Sequence, residues 1–379
     1  MSKRQKALAA LLFFAGPLFA ANVSIPTFQM VTRGAMQGGS FILGTQANLD
    51  VEIGGGYKFG GRLGLSIETD ALEEPSTPGA TYDPAVLESA FNRALTLSSA
   101  EVIVRDFLRD GLNVHYFVGE YDRLLTGDLF PDRFGTGIVA TGFRGLLNFP
   151  TGVVYDGIHL VDGTGIALVS SSIAPWLFLD AALYQDATLG PGLYSTDVRA
   201  AFNTGPFKAE TFFGASFPAA TAGIYRAGLL LYYQTGDGGE VLTQFGVPRW
   251  APVTDGPLTI DDFFFLFEPR VDIGALSIIL TLFWHPEYYD QELTDERGAT
   301  DIVVKLVAGD RETSPVTGGV ESAVRLRPDD ATDTLRVTAA PFLTVSASGV
   351  VWDFKVNFNV FPFVLDELIE GYVGIQTQF

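Results

Sequence analysis

Hydrophobic and polar residues alternate with a period of two along most of this chain, the mark of strands with one apolar and one polar face. In residues 46–53, Ala47, Leu49, Val51 and Ile53 share one face, while Gln46, Asn48, Asp50 and Glu52 share the other. The next segment sets Tyr57, Phe59, Leu63, Leu65 and Ile67 against Lys58, Arg62, Ser66 and Glu68, and the glycines Gly54, Gly55 and Gly56 between the two segments predict a hairpin. Near the other end, Trp352, Phe354, Val356, Phe358 and Val360 alternate with Asp353, Lys355, Asn357 and Asn359. No helical period fits these stretches.

Alternation alone also suits a soluble β-sandwich. Three features point instead to a sheet that crosses a bilayer. The strands recur at ~10 residues or more, the tilted length a bilayer demands, where soluble sheets average ~5 to 6. Trp176, Trp250, Trp284 and Trp352 all fall at or beside strand ends, where an interfacial girdle places them. Connections alternate between short and long. Short turns are expected at Ser346–Gly349, Asp272–Ala275, Gly236–Gly239, Thr204–Pro206 and Ile173–Pro175, with 309–316 a longer one. Between them lie longer connections at 328–333, 286–299, 247–260, 217–222 and 187–193. Because no sheet edge survives in hydrocarbon, such a sheet must close. The prediction is an all-β transmembrane antiparallel barrel of about 16 to 18 strands, and an even count favours 18, with a first strand near 25–35.

The same bookkeeping leaves two long connections. Residues 70–95 include a short helical pattern at Asp83–Leu95, and 122–162 form one connection whose Val153–Val161 piece reads as a strand extension or loop structure. No linker separates a second domain, so 22–379 are expected to form one barrel.

Residues 1–21 stand apart. Lys3, Arg4 and Lys6 precede an apolar run from Ala7 to Ala21 containing Gly16 and Pro17 and ending in small residues, the pattern of a cleaved signal peptide. The run is short of the ~20 residues a membrane helix needs. With no cysteine, neither disulfides nor a lipid-modified cysteine can hold this exported chain. Its 47% hydrophobic content beside a formal charge of -20 fits apolar residues spread along strands, and the acidic balance repels nucleic acid.

The final strand, with Tyr372, Gly374 and the terminal Phe379, resembles the C-terminal signal of bacterial outer-membrane barrels that the assembly machinery reads, although Thr377 stands where a hydrophobic residue is usual. The long connection follows the fifth strand in the count, as does the constriction loop of general porins, and Phe130-Pro131-Asp132-Arg133-Phe134-Gly135 resembles the acidic Pro-Glu-Phe-Gly stretch of that loop. The resemblance implies a porin-like barrel in a bacterial outer membrane, termini in the periplasm, partnered by the lipid bilayer and the barrel-assembly machinery, with a homotrimer as the implied assembly.

Polar faces turned inward place Arg62, Arg105, Arg199, Arg226, Arg270, Arg325, Arg327 and Arg336 in the lumen beside Glu52, Glu101, Asp197, Glu210, Glu240 and Glu268. A charge there acts strongly on passing ions. One reading sets Arg325, Arg327 and Arg336 as a basic ladder facing Asp122, Asp128 and Asp132 of the long connection. The other has these charges pairing across neighbouring strands. His115, expected in the lumen, His159 near the long connection and His285 beside Trp284 form no catalytic or metal-ligand motif, so neither enzyme, cofactor nor metal is expected. The function expected is passive diffusion of small hydrophilic solutes or ions. The alternatives are a transporter of hydrophobic substrates plugged by residues 22–38, and a barrel enzyme or adhesin acting through its outer loops.

Overall fold

The computed structural model describes residues 22–378 except 38–39, 55–56, 70–94, 136–156, 218–222, 237, 290–291, 295, 310–313, 328–333 and 365–367. Residues 1–21, the expected signal peptide, and Phe379 lie outside the described part. So does the helical pattern at 83–94; Leu95, its last residue, opens a strand.

Eighteen strands form one sheet. They are β1 (Asn22–Gln37), β2 (Ser40–Gly54), β3 (Phe59–Thr69), β4 (Leu95–Val104), β5 (Leu112–Leu124), β6 (His159–Ala174), β7 (Leu177–Asp186), β8 (Tyr194–Asn203) and β9 (Phe207–Phe217). After them come β10 (Ile224–Gln234), β11 (Gly239–Trp250), β12 (Phe264–Ile273), β13 (Leu276–Trp284), β16 (Thr300–Ala308), β17 (Val316–Leu326), β18 (Leu335–Ala347), β19 (Val350–Phe361) and β20 (Ile369–Gln378). The connection between β13 and β16 holds a separate small hairpin of β14 (Tyr288–Tyr289) and β15 (Glu292–Leu293). Each barrel strand pairs antiparallel with its chain neighbours, and β1 bonds to β20 as well as to β2. The sheet therefore has no edge.

That closure settles one alternative. Residues 22–37 are a barrel strand in register with two neighbours, from Asn22 opposite Gly54 to Gln37 opposite Ser40, and do not plug the lumen. The connections divide as the period predicts. One end of the barrel carries short turns, such as Ser348-Gly349, whose two positive φ angles of 53° and 79° suit the twist of a two-residue hairpin. The other end carries the long loops.

Burial follows the pleat. On β7, Phe178, Asp180, Ala182, Tyr184 and Asp186 are buried while Leu183 between them is 62% exposed. On β19, Trp352, Phe354, Val356, Phe358 and Val360 all face out. The exterior is thus an apolar belt and the interior a mixture of charged and packed side chains. Trp176 and Trp352 lie at the short-turn end, and Trp250 and Trp284 terminate β11 and β13 at the long-loop end, where their indole N–H groups donate to the carbonyls of Gly256 and Ile260 at 2.9 and 3.3 Å. Among the described residues no helix is long and apolar enough to cross a membrane.

Candidate channel lumen

The lumen is shaped where β5 meets the loop that follows it. The β5–β6 register slips between Glu120 and Asp122, a bulge that leaves Tyr121 without a partner in the ladder. A bulge re-aims side chains. Here two consecutive residues, Tyr121 and Asp122, both turn to the same interior cavity. β5 continues to Leu124 and β6 begins at His159, so the connection runs over 125–158 and the expected span of 122–162 is too wide at both ends.

The described parts of this loop fold inward. Leu125 sits at φ 66°, a left-handed conformation that a bulky residue adopts only when its surroundings hold it. They do so at three points. Its N–H donates to Glu210 Oε1 at 2.8 Å, its carbonyl accepts from Gln244 Nε2 at 2.7 Å, and its side chain is fully buried against the wall. The wall is notched to receive it by Gly228 and Gly246, which face each other across β10 and β11. A β-carbon on Gly228 would collide with Leu125 Cδ1 and lie 2.8 Å from Phe212, and one on Gly246 would lie 3.0 Å from Ile158 Cδ1. At the other end of the loop, Tyr289 from the β13–β16 connection donates its hydroxyl to Gly157 O at 2.5 Å. Leu125 and Ile158 thereby join a buried cluster with Phe212, Leu230, Leu242 and Phe264 of the inner wall.

Between these anchors the chain forms a short helix, α1 (Leu129–Phe134), closed by Gly135 at φ 65°. The Phe130–Gly135 motif is thus α1 and its cap. Phe130 is fully buried and packs with Val169, Phe178 and Ala201 of the β6–β8 wall, while Phe134 lies against the same cluster. Asp128 and Arg133 remain exposed on the lumen side.

Among the described residues, a cavity of about 480 Å³ stays open between α1 and the β2–β5 wall. Four of the residues expected at the site, Arg62, Arg105, Asp122 and Asp128, line it together with Arg133 and Arg199. Arg62 pairs with Glu52 at 2.8 Å and approaches Glu101 at 3.9 Å. Arg105 donates to the carbonyl of Phe59 at 3.2 Å. Asp132 is in α1, and its side chain is outside the described set.

The basic ladder is elsewhere. Asp122 pairs with Arg199 at 2.6 Å, and Arg325 and Arg327 do not line its cavity. Arg325 sits beside Asp301 at 2.6 Å and both it and Arg327 bind Glu296, toward the long-loop end. Arg336 stands opposite Arg325 on β18. The physical reason is reach: charged side chains find partners on adjacent strands or on the nearest loop before they can face one another across a wide barrel.

Arg199 is the residue that expectation underrated. Buried on β8, it lies 2.6 Å from Asp122, 2.8 Å from Asp180 and 3.6 Å from Glu210, so one guanidinium joins the bulge, the wall and the loop anchor. A parallel network lies alongside, where Arg226 forks onto Asp197 with two contacts of 2.7 Å and Tyr184 donates to the same carboxylate at 2.7 Å. His159, the first residue of β6, is buried with Nε2 3.2 Å from the Tyr184 hydroxyl.

Strand number and closure make this a closed 18-stranded antiparallel barrel with an inward loop beside a charged cavity. No family model matches the chain, and no curated protein matches its sequence. Among solved structures it is similar to a triple mutant of Rhodopseudomonas blastica porin, with a TM-score of 0.45 and 11% identity over 94% of this chain and 100% of that one. It is also similar to the low-pH structure of Pseudomonas putida OprB, with a TM-score of 0.41 and 11% identity over 100% of this chain and 98% of that one.

Proposed function

We propose that this chain is an outer-membrane channel for passive diffusion of small hydrophilic solutes and ions. The observation that carries the reading is the charged cavity left open between α1 and the β2–β5 wall, inside a barrel whose exterior is apolar. An 18-stranded barrel is wide enough for an aqueous path that side chains alone do not fill. The inward loop narrows that path and gives it a polar lining, in which Arg62, Arg105, Asp122 and Asp128 act on the solute. Such a lining favours hydrophilic solutes over hydrophobic ones, since transfer of an apolar molecule past fixed charges gains nothing from the wall.

β1 begins and β20 ends at the short-turn end, which we assign to the periplasm, with the last strand, through Tyr372 and Gly374, as the handle for the assembly machinery. Refolded chain lacking residues 1–21, added to a planar bilayer, is expected to give stable conducting steps with a reversal potential under a salt gradient. A folded barrel that stays electrically silent sinks the channel reading and favours action through the loops.

A further inference from the structure

Of the three histidines in the chain, His115 alone lines the described cavity. The residue is 7% exposed, and its ring lies edge-on to Tyr121 at 6.0 Å and meets a Glu101 carboxylate oxygen through Nδ1. A carboxylate only accepts, so the neutral ring carries its proton on Nδ1 and presents Nε2 as a bare acceptor. That atom has no hydrogen-bond partner among the described residues, and neither has Oδ1 of Asp180, a second buried side chain of the same cavity. A proton on Nε2 turns an unmatched acceptor into a donor in a wall that holds a second unmatched acceptor.

The described charges that line the cavity with this ring nearly balance. Glu52 of β2, Glu101 of β4, Asp122 of β5 itself, Asp180 of β7 and Asp128 before α1 supply five acids, against the four arginines Arg62 of β3, Arg105 after β4, Arg199 of β8 and Arg133 of α1. With His115 neutral and the carboxylates ionised, the described lining carries one excess negative charge, and one proton cancels it. We propose that His115 sets the ion selectivity of the lumen, cation-preferring when the ring is neutral and much less so when it is protonated. This rests on the channel reading above and adds to it the group that tunes its selectivity.

The other histidines do not confuse the test. His159 is held by Tyr184 and Asp197 away from the cavity, and His285, bonded to Asp301 beyond the end of β13, is kept below the ordinary histidine range by burial. Imidazole is the side chain that ordinarily changes charge between pH 5 and 8, and His115→Gln separates its share of any response from that of the buried carboxylates around it.

The measurement is the potassium-to-chloride permeability ratio of the refolded channel, from its reversal potential at about pH 8 and about pH 5.5. The wild-type ratio is expected to fall by at least about twofold, the size of effect one charge ~8 Å from a permeating ion has at water-like dielectric after salt screening. His115→Gln is expected to hold one ratio at both pH values, and His115→Lys to show the low-pH ratio at both. A wild-type ratio that stays flat, or a pH response that survives in His115→Gln, overturns the assignment, and the flat wild-type ratio does so even if a variant does not fold. Absence of conducting steps from the folded barrel overturns the channel reading itself, and this assignment with it.

Discussion

Leu125 shows what single residues contribute to this lumen. A branched side chain at positive φ costs on the order of 1 kcal/mol or more and survives only where the contacts around it exceed that cost. Its two backbone hydrogen bonds and its seat over Gly228 supply them. Gly228 is therefore required for close approach and not for backbone freedom, since its φ is not in the left-handed region. Gly228→Val should unseat Leu125 and free the first turn of the loop. The expected cost is about 1–3 kcal/mol, as for overpacking at other tight sites. The expected readout is a lower thermal transition of the folded barrel together with a larger and noisier single-channel conductance. A variant with wild-type conductance would show that the notch does not position the loop.

At the scale of elements, one carboxylate takes two backbone N–H groups at the start of the loop after β5. Glu210 accepts the N–H groups of Leu125 and Gly127 on its two oxygens while Arg199 lies 3.6 Å away. Glu210→Gln keeps the shape but turns one acceptor into a donor facing a backbone N–H, a mismatch costing roughly 1–3 kcal/mol. Limited proteolysis of the folded barrel should then cut between Leu125 and Gly157 faster than in the wild type, with the rest of the barrel still intact. Equal cutting rates would place the hold on the loop elsewhere. The elements themselves were largely readable from the period of two: β19 faces out at the residues expected, and the short turns fall where Gly and Pro mark them. The bulge at Tyr121 is not legible in the sequence, because one extra residue shifts the pattern and Gly119, two residues before it, looks like any other strand glycine. The single connection after β5 follows from the strand count, and the structure narrows it from 122–162 to 125–158. The partners of Arg325 and Arg327 escaped for a different reason. Alternation tells which face a side chain takes but not how high it stands along the barrel, and only register brings Asp301 opposite Arg325.

For the molecule as a whole, the described residues give the interior a filled sector and an open one. Along β9–β13 the inner wall is covered by the loop anchors, and Leu230 and Leu242 are 0% and 2% exposed although they point into the barrel. Along β2–β5 the wall borders the charged cavity, where Ser24 and Asn113 are lining residues. A solute should therefore pass to one side of the barrel axis, past Arg62 and Asp122 and not past Leu230. The absence of cysteine makes this directly measurable, because any thiol introduced is the sole thiol of the chain. Ser24→Cys and Asn113→Cys should react with a small charged methanethiosulfonate reagent added to the conducting channel, and each reaction should step the current down. Leu230→Cys and Leu242→Cys face the same interior but should leave the current unchanged over the same exposure. If Leu230→Cys reacts as fast as Asn113→Cys, the β9–β13 sector is open to water, the loop is not a fixed filling, and the path runs through the centre of the barrel. If only the first pair reacts, the width set by 18 strands is not the width the solute meets, and the selectivity of the channel belongs to the sector bounded by β2, β5 and α1.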